Sequence, residues 1–243
     1  MVTIELSEDQ IAASDYRANE SFKALRTNIL FCGDETKVIA LTSATPNEGK
    51  SSVSMNLAIT LAHLGKKVIY IDADLRKSVI RQRYKIKGAT DGFSHFLSGM
   101  KKFAEVVYPT NIENLFMVLA GPIPPNPSEL LGSKYFTALI EKLKEVYDYV
   151  IIDTPPMGSV TDAAIVAREC DGIILVIAAD TVSYKLEQKI VSDLKKSGCR
   201  ILGAVLNKVA VSEGRYGKYY GKYYGKYYGH YGHYGFDAEE GDK

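Results

Sequence analysis

No run of 18 apolar residues occurs anywhere in this chain of 243 residues, and no apolar stretch of signal-peptide type opens it. The expectation is therefore a cytoplasmic protein that reaches the inner face of a membrane only through a partner. Cysteine is scarce. Cys32, Cys170 and Cys199 are odd in number, far apart and free of any C-x-x-C, which argues against a disulfide framework and against a zinc site. They read as buried or half-buried free thiols. Net charge is nearly absent too. Thirty Lys and Arg against 29 Asp and Glu leave +1, which gives no general pull toward nucleic acid, and no such partner is expected. The last 33 residues lack aliphatic side chains almost entirely. In their place stands RYGKYYGKYYGKYYGHYGHYG at 215–235, with nine tyrosines. A segment of that composition buries too little to offset its ordering entropy, so 211–243 is expected to be disordered.

What is present upstream is ordinary for a globular domain: 46% hydrophobic and 24% charged residues. Residues 1–15 read as an N-terminal extension and 16–210 as one domain. VIALTS (38–43), VIYIDAD (68–74), LFMVLA (115–120), YVIID (149–153), IILVIAA (173–179) and ILGAVLN (201–207) are short β-branched runs. Runs that are apolar on both faces suit buried strands of a parallel sheet. Helical spacing lies between most of them, at 50–64, 134–146 and 184–196, and before them at 16–31. The fold class is α/β, a mostly parallel sheet flanked by helices.

LTSATPNEGKSS follows the first run. A phosphate-cradling loop reads G-x-x-x-x-G-K-[ST] between strand and helix, and Gly49, Lys50 and Ser51 fit it. Ala44 replaces the first glycine, which is tolerable where φ stays negative. Backbone N–H groups from Pro46 through Ser52 (Asn47, Glu48 and Gly49 between them) would cradle phosphates at the helix N-terminus, proline contributing shape rather than a donor. Lys50 would reach the β- and γ-phosphates, and the Ser51 hydroxyl would sit on Mg²⁺. Asp72 and Asp74 end one strand run and Asp153 ends another. Ligands of open α/β sheets bind outside the carboxyl ends of the strands, so these carboxylates should converge on the Lys50 loop and make its edge acidic. Mg²⁺ asks for few carboxylates beside phosphate and water. ATP and Mg²⁺ are the implied ligands.

The loop, the strand ending D-x-D-x-R at Arg76 and the strand ending D-T-P-P together resemble the three Walker motifs of bacterial tyrosine kinases of the capsular and exopolysaccharide type. GFSHFLSG (92–99), AGPIPPNPSELL (120–131) and LGAVLNKV (202–209) extend the resemblance, which runs from about Tyr16 to Lys208 and then takes in the tyrosine cluster. The resemblance implies a P-loop NTPase fold and transfer of phosphate from ATP to tyrosine. It assigns Lys50, Asp72 and Asp74 to catalysis, with Asp72 preferred as the base, and Ser51, Asp72 and Asp153 to Mg²⁺. Arg76 would assist the phosphates or pair with an aspartate. Asn207 would contact the adenine. The acceptors would be Tyr216, Tyr219, Tyr220, Tyr223, Tyr224, Tyr227, Tyr228, Tyr231 and Tyr234. Glu20, Lys23 and Arg26 form E-x-x-K-x-x-R on the first helix, where the family carries arginine in the middle and docks subunits into a ring. Lysine there cannot make arginine's bidentate contact, and a solvated face with i,i+3 charge pairs is the other reading. A membrane-anchored activator and a phosphotyrosine phosphatase are implied partners. A P-loop ATPase that positions cell components is the rival, but its signature lysine would fall at Thr45.

Overall fold

The computed structural model describes residues 2–7 and 16–210; residues 211–243, and with them the nine tail tyrosines, lie outside it. In chain order the elements are α1 (Tyr16–Leu30), β1 (Val38–Ser43), α2 (Lys50–Ala62), β2 (Val68–Asp72), α3 (Ile80–Arg83), α4 (Phe93–Leu97), α5 (Phe103–Val106), β3 (Val107–Pro109) and β4 (Leu115–Val118). They continue with α6 (Pro127–Leu131), α7 (Lys134–Val146), β5 (Tyr149–Asp153), α8 (Asp162–Ala167), β6 (Gly172–Ala178), α9 (Tyr184–Lys196) and β7 (Ile201–Asn207). The strands form one sheet in the order β3-β4-β2-β5-β1-β6-β7. All pairings are parallel except β3 on β4. The parallel strands are the six runs expected from sequence, within two residues at each end. β3 was not expected, because three residues ending in proline are too short to show a period. Pro109 sits on an edge strand, where the missing N–H costs the sheet nothing.

β1, β2 and β5 are buried at every position because helices cover both faces. On one face Ile39, Leu41, Tyr70 and Ile151 meet Val53, Leu57 and Leu61 of α2. On the other, Ile69, Ile71, Val150 and Ile152 belong to the same core as Phe136 and Ile140 of α7 and Ile190 and Leu194 of α9. α2 is buried nearly all round, polar residues included, and is enclosed between the sheet and α1, whereas α7 and α9 each bury one stripe. Truncating a fully buried side chain such as Leu57 to alanine costs about 2–5 kcal/mol in cores of this kind. This order puts β1 between β5 and β6. The loop after β1 therefore opens between the ends of two parallel strands, with β2 one strand further on.

Candidate nucleotide and phosphoryl-transfer site

The loop between β1 and α2 turns on two left-handed residues, Asn47 (φ 67°) and Gly49 (φ 93°). Ala44 is not among the positive-φ residues, so alanine fits where the usual pattern has glycine. A Cβ at Gly49 would lie 2.1 Å from Asn207 Nδ2, so any other residue would strain φ and displace that amide. Asn207 ends β7, and its amide donates to the Glu48 carbonyl at 2.9 Å; Lys208 Nζ reaches the Asn47 carbonyl at 2.6 Å. The last strand thus emerges at the loop.

Glu48 carries information that sequence reasoning missed. Taken from the motif, it is one more backbone donor to phosphate. In the structure its side chain is buried and works for the loop itself. Oε1 accepts from the Thr45 N–H at 2.5 Å and from Thr45 Oγ1 at 3.0 Å, while Oε2 accepts from the Ala178 N–H at 3.0 Å at the end of β6. The carboxylate fastens the loop to the neighbouring strand. A glutamate preceding G-K was the available signal.

Lys50 opens α2 and points back across the strand ends. Its Nζ lies 3.4 Å from Asp74 Oδ2, 3.7 Å from Asp153 Oδ1 and 3.3 Å from Ser51 Oγ. Burial works against the ammonium, but Asp153 and Asp74 outweigh it and hold Lys50 above its ordinary pKa. Asp72 and Asp153 are register partners across β2 and β5 and are both almost wholly buried. Burial, then Asp153, pushes Asp72 up to about 8, although the Ser78 hydroxyl donates to its Oδ2. Burial likewise raises Asp153, with Lys50 opposing the shift. Asp72 Oδ1 accepts from the Asp74 N–H at 3.2 Å and Asp74 Oδ1 from the Lys77 N–H at 3.0 Å, which fixes the turn leaving β2.

The expectation of an acidic edge needs correction. The carboxylates converge, but they are buried around Lys50. The exposed segment beside them, Arg76 to Lys87, carries six cations and no acid. Arg76 is placed by the same geometry. Its Nε and Nη2 grip the fully buried Asp162 at 2.8 and 3.1 Å, and Nη2 also meets Ser128 Oγ at 2.9 Å. Of the two alternatives open from sequence, the aspartate pairing is the one formed. Ser52, half-buried in the first turn of α2, receives the Arg83 guanidinium on its hydroxyl. Pro46 and Asn47 are exposed at the mouth of the loop.

The donor set suits a hard cation. Asp153 Oδ1 is buried without a hydrogen-bond partner, while Oδ2 takes the Tyr70 hydroxyl at 3.3 Å. Ser51 Oγ and the Asp72 carboxylate complete an all-oxygen group that fits Mg²⁺. Among the described residues no three His, Cys, Asp or Glu side chains make a ready metal cage, in keeping with an ion that takes most of its ligands from phosphate and water.

On α1, Glu20 and Lys23 pair with each other at 2.7 Å, both half-exposed, while Arg26 turns inward and donates to the Thr60 carbonyl of α2 at 3.1 Å. Two of the three residues expected at a subunit interface thus lie on an open face and the third contacts its own chain. All three cysteines are free, two half-buried and one buried. No helix among the described residues is long and apolar enough to cross a membrane.

Comparison with known proteins agrees with this geometry. Residues 36–198 match a family model described as AAA domain. The tyrosine-protein kinase CpsD of Streptococcus agalactiae is 42% identical over 219 residues, which is 90% of this chain and 95% of that protein. Among solved structures, the kinase domain of the Escherichia coli tyrosine kinase ETK superposes with a TM-score of 0.76 at 36% identity, covering 79% of this chain and 76% of that one. The septum site-determining protein MinD of Pyrococcus horikoshii, complexed with Mg-ADP, follows at a TM-score of 0.62 and 26% identity, covering 73% and 72%. The rival positioning ATPases therefore share the nucleotide-binding fold, while identity over nearly the whole length lies with the kinases. The Lys50 loop, the paired strand-end aspartates and these likenesses place the chain in the family of bacterial tyrosine-protein kinases.

Proposed function

We propose that this kinase phosphorylates its own C-terminal tyrosine cluster, Tyr216 to Tyr234, chiefly between subunits, and thereby regulates synthesis and export of a capsular or exopolysaccharide. The observation that carries the reading is the delivery of β7 to the loop, with Asn207 and Lys208 bonded to Glu48 and Asn47. The chain leading to the tyrosines leaves the domain at the phosphate loop. A random-coil segment of about 24 residues spans roughly 25–30 Å on average, a distance that would bring a phenol to a neighbouring site.

In this reading the backbone from Pro46 to Ser52 receives ATP, Asn207 borders the base and Lys50 follows the β- and γ-phosphates. Ser51, Asp72 and Asp153 would hold Mg²⁺, which supplies neutralisation of the charge gathering on the transferring group. The phenol oxygen bonds to the γ-phosphorus as the bond to ADP breaks. Only about one phenol in a thousand is ionised at pH 7. The phenolic proton would pass to a strand-end carboxylate, Asp72 by preference, and Asp74 holds Lys50 beside it. A homo-oligomeric ring, with Glu20, Lys23 and Arg26 toward the neighbour, would bring tails to sites. It would require Arg26 to exchange its contact with Thr60. A membrane-anchored activator, which would recruit the chain to the inner face of the membrane, and a cognate phosphotyrosine phosphatase complete the proposal.

The test is incubation with ATP and Mg²⁺ of the full chain, of Lys50→Met and of a truncation after Ser212, probed for phosphotyrosine. Signal is expected only where Lys50 and the tail are both present. Mixing Lys50→Met with the truncated chain should restore signal on the Lys50→Met tail. ATP hydrolysis with no phosphotyrosine in any sample would reject the reading.

A further inference from the structure

The segment that leaves β2 is a strip of positive charge. Lys77, Arg81, Arg83, Lys85 and Lys87 are all exposed, and none forms an ion pair among the described residues. No Asp or Glu occurs from Leu75 to Thr90. Like charges at this density repel one another, and the fold leaves them unneutralised. It also holds the strip still. Ile80, Tyr84 and Ile86 are buried between the cations, and Lys85 is set in the left-handed region (φ 50°). The strip is tied to the site at two points, by Ser78 to Asp72 and by Arg83 to Ser52. The strip thus starts at the rim of the site.

The stretch of the chain's own tail that holds most of its tyrosines does not match this surface. From Arg215 to Lys226 it carries Arg215, Lys218, Lys222 and Lys226 and no acid; the acids Asp237, Glu239, Glu240 and Asp242 come only after the last tyrosine, Tyr234. We propose that the strip selects a second class of acceptor, tyrosines of other proteins with glutamate or aspartate on either side. Acidic residues flanking the phenol would lie along Arg81, Lys85 and Lys87 while the phenol enters beside Asp72. This inference builds on the tyrosine kinase site described above but does not need the tail to be a substrate. An anionic lipid surface would also be drawn to lysines and arginines. The attachment of the strip to Asp72 and Ser52, at the rim of the site, favours the acceptor.

The experiment uses the full chain, ATP, Mg²⁺ and two synthetic peptides with one tyrosine each, one flanked by glutamates and one by glycine and serine. The wild type should favour the acidic peptide about tenfold in kcat/KM at low salt, with the preference shrinking as ionic strength rises. The triple variant Arg81→Gln/Lys85→Gln/Lys87→Gln should lose that preference through KM. Its turnover of the neutral peptide and its KM for ATP should not move. Equal use of both peptides by the wild type overturns the proposal, as does an equal loss on both in the variant. A raised KM for ATP would reassign the strip to the nucleotide. Binding to phosphatidylserine vesicles without a peptide preference would reassign it to a membrane. If the isolated chain turns over neither peptide, anisotropy of the labelled acidic peptide decides, and equal binding by wild type and variant overturns the idea. Tail phosphotyrosine is read separately, so its loss with the peptide preference intact counts only against the self-phosphorylation reading.

Discussion

The Tyr70 hydroxyl donates to Asp153 Oδ2 at 3.3 Å from a fully buried position on the neighbouring strand β2. It occupies one carboxylate oxygen and leaves Oδ1 turned to Lys50. Burial and the two aspartates push the phenol well above its usual pKa, so Tyr70 stays a donor at any working pH. Tyr70→Phe frees the carboxylate to rotate. The KM for Mg–ATP should rise about tenfold, the equivalent of one charged hydrogen bond, with the circular dichroism spectrum unchanged. A Mg²⁺ titration of nucleotide binding checks it, and an unaltered Mg²⁺ dependence would count against a positioning role.

The Asp72–Asp153 pair makes stability depend on pH. Asp72 titrates near 8 in the folded chain but near 4 when unfolded, so between those values the folded state holds the extra proton. Stability without nucleotide and metal is therefore greatest in the acid part of this window and falls as pH rises toward 8. Asp72→Asn removes Asp72's share of the slope and should raise the melting temperature at pH 8 by about 5 °C, while phosphotyrosine formation collapses. Thermal melts from pH 5 to 8.5 measure both chains, and parallel curves would refute the assignment.

Glu48→Ala should destabilise the domain by about 2–3 kcal/mol, because the Thr45 and Ala178 N–H groups lose a charged acceptor. Nucleotide affinity should fall with it, since the loop loses its tie to β6. Urea denaturation and nucleotide titration read the two effects, and loss of affinity at unchanged stability would point to direct contact instead.

Arg76→Ala should cost about 3 kcal/mol, because Asp162 is fully buried and keeps only Ser128 for company. The double variant Arg76→Ala/Asp162→Asn should recover much of that loss. A rise in KM for ATP with stability intact would place the guanidinium on phosphate after all.

Six parallel strands and four long helices were legible because each repeats its period over enough residues, and the three aspartates were legible because they end apolar runs. α3, α4, α5, α6 and α8 have four to six residues each, fewer than two turns, so no spacing announces them. The partners of Arg76 and Glu48 were hidden for another reason. Asp162 is 86 residues from Arg76 and Ala178 is 130 from Glu48, and only the sheet order brings them together. The basic strip was open to reading in RKSVIRQRYKIK, but its meaning depends on its ties to Asp72 and Ser52.

The Asn207 amide stands where a Cβ of Gly49 would be, so the back wall of the phosphate loop is made by the end of the last strand. Proteins emerge from the ribosome with the N-terminal part first. The loop is synthesised early, but its rear support arrives some 160 residues later and must enter the sheet in register, with Asn207 opposite Ala178. A nascent chain therefore carries the phosphate-binding sequence for most of its synthesis without the strand end that backs the loop.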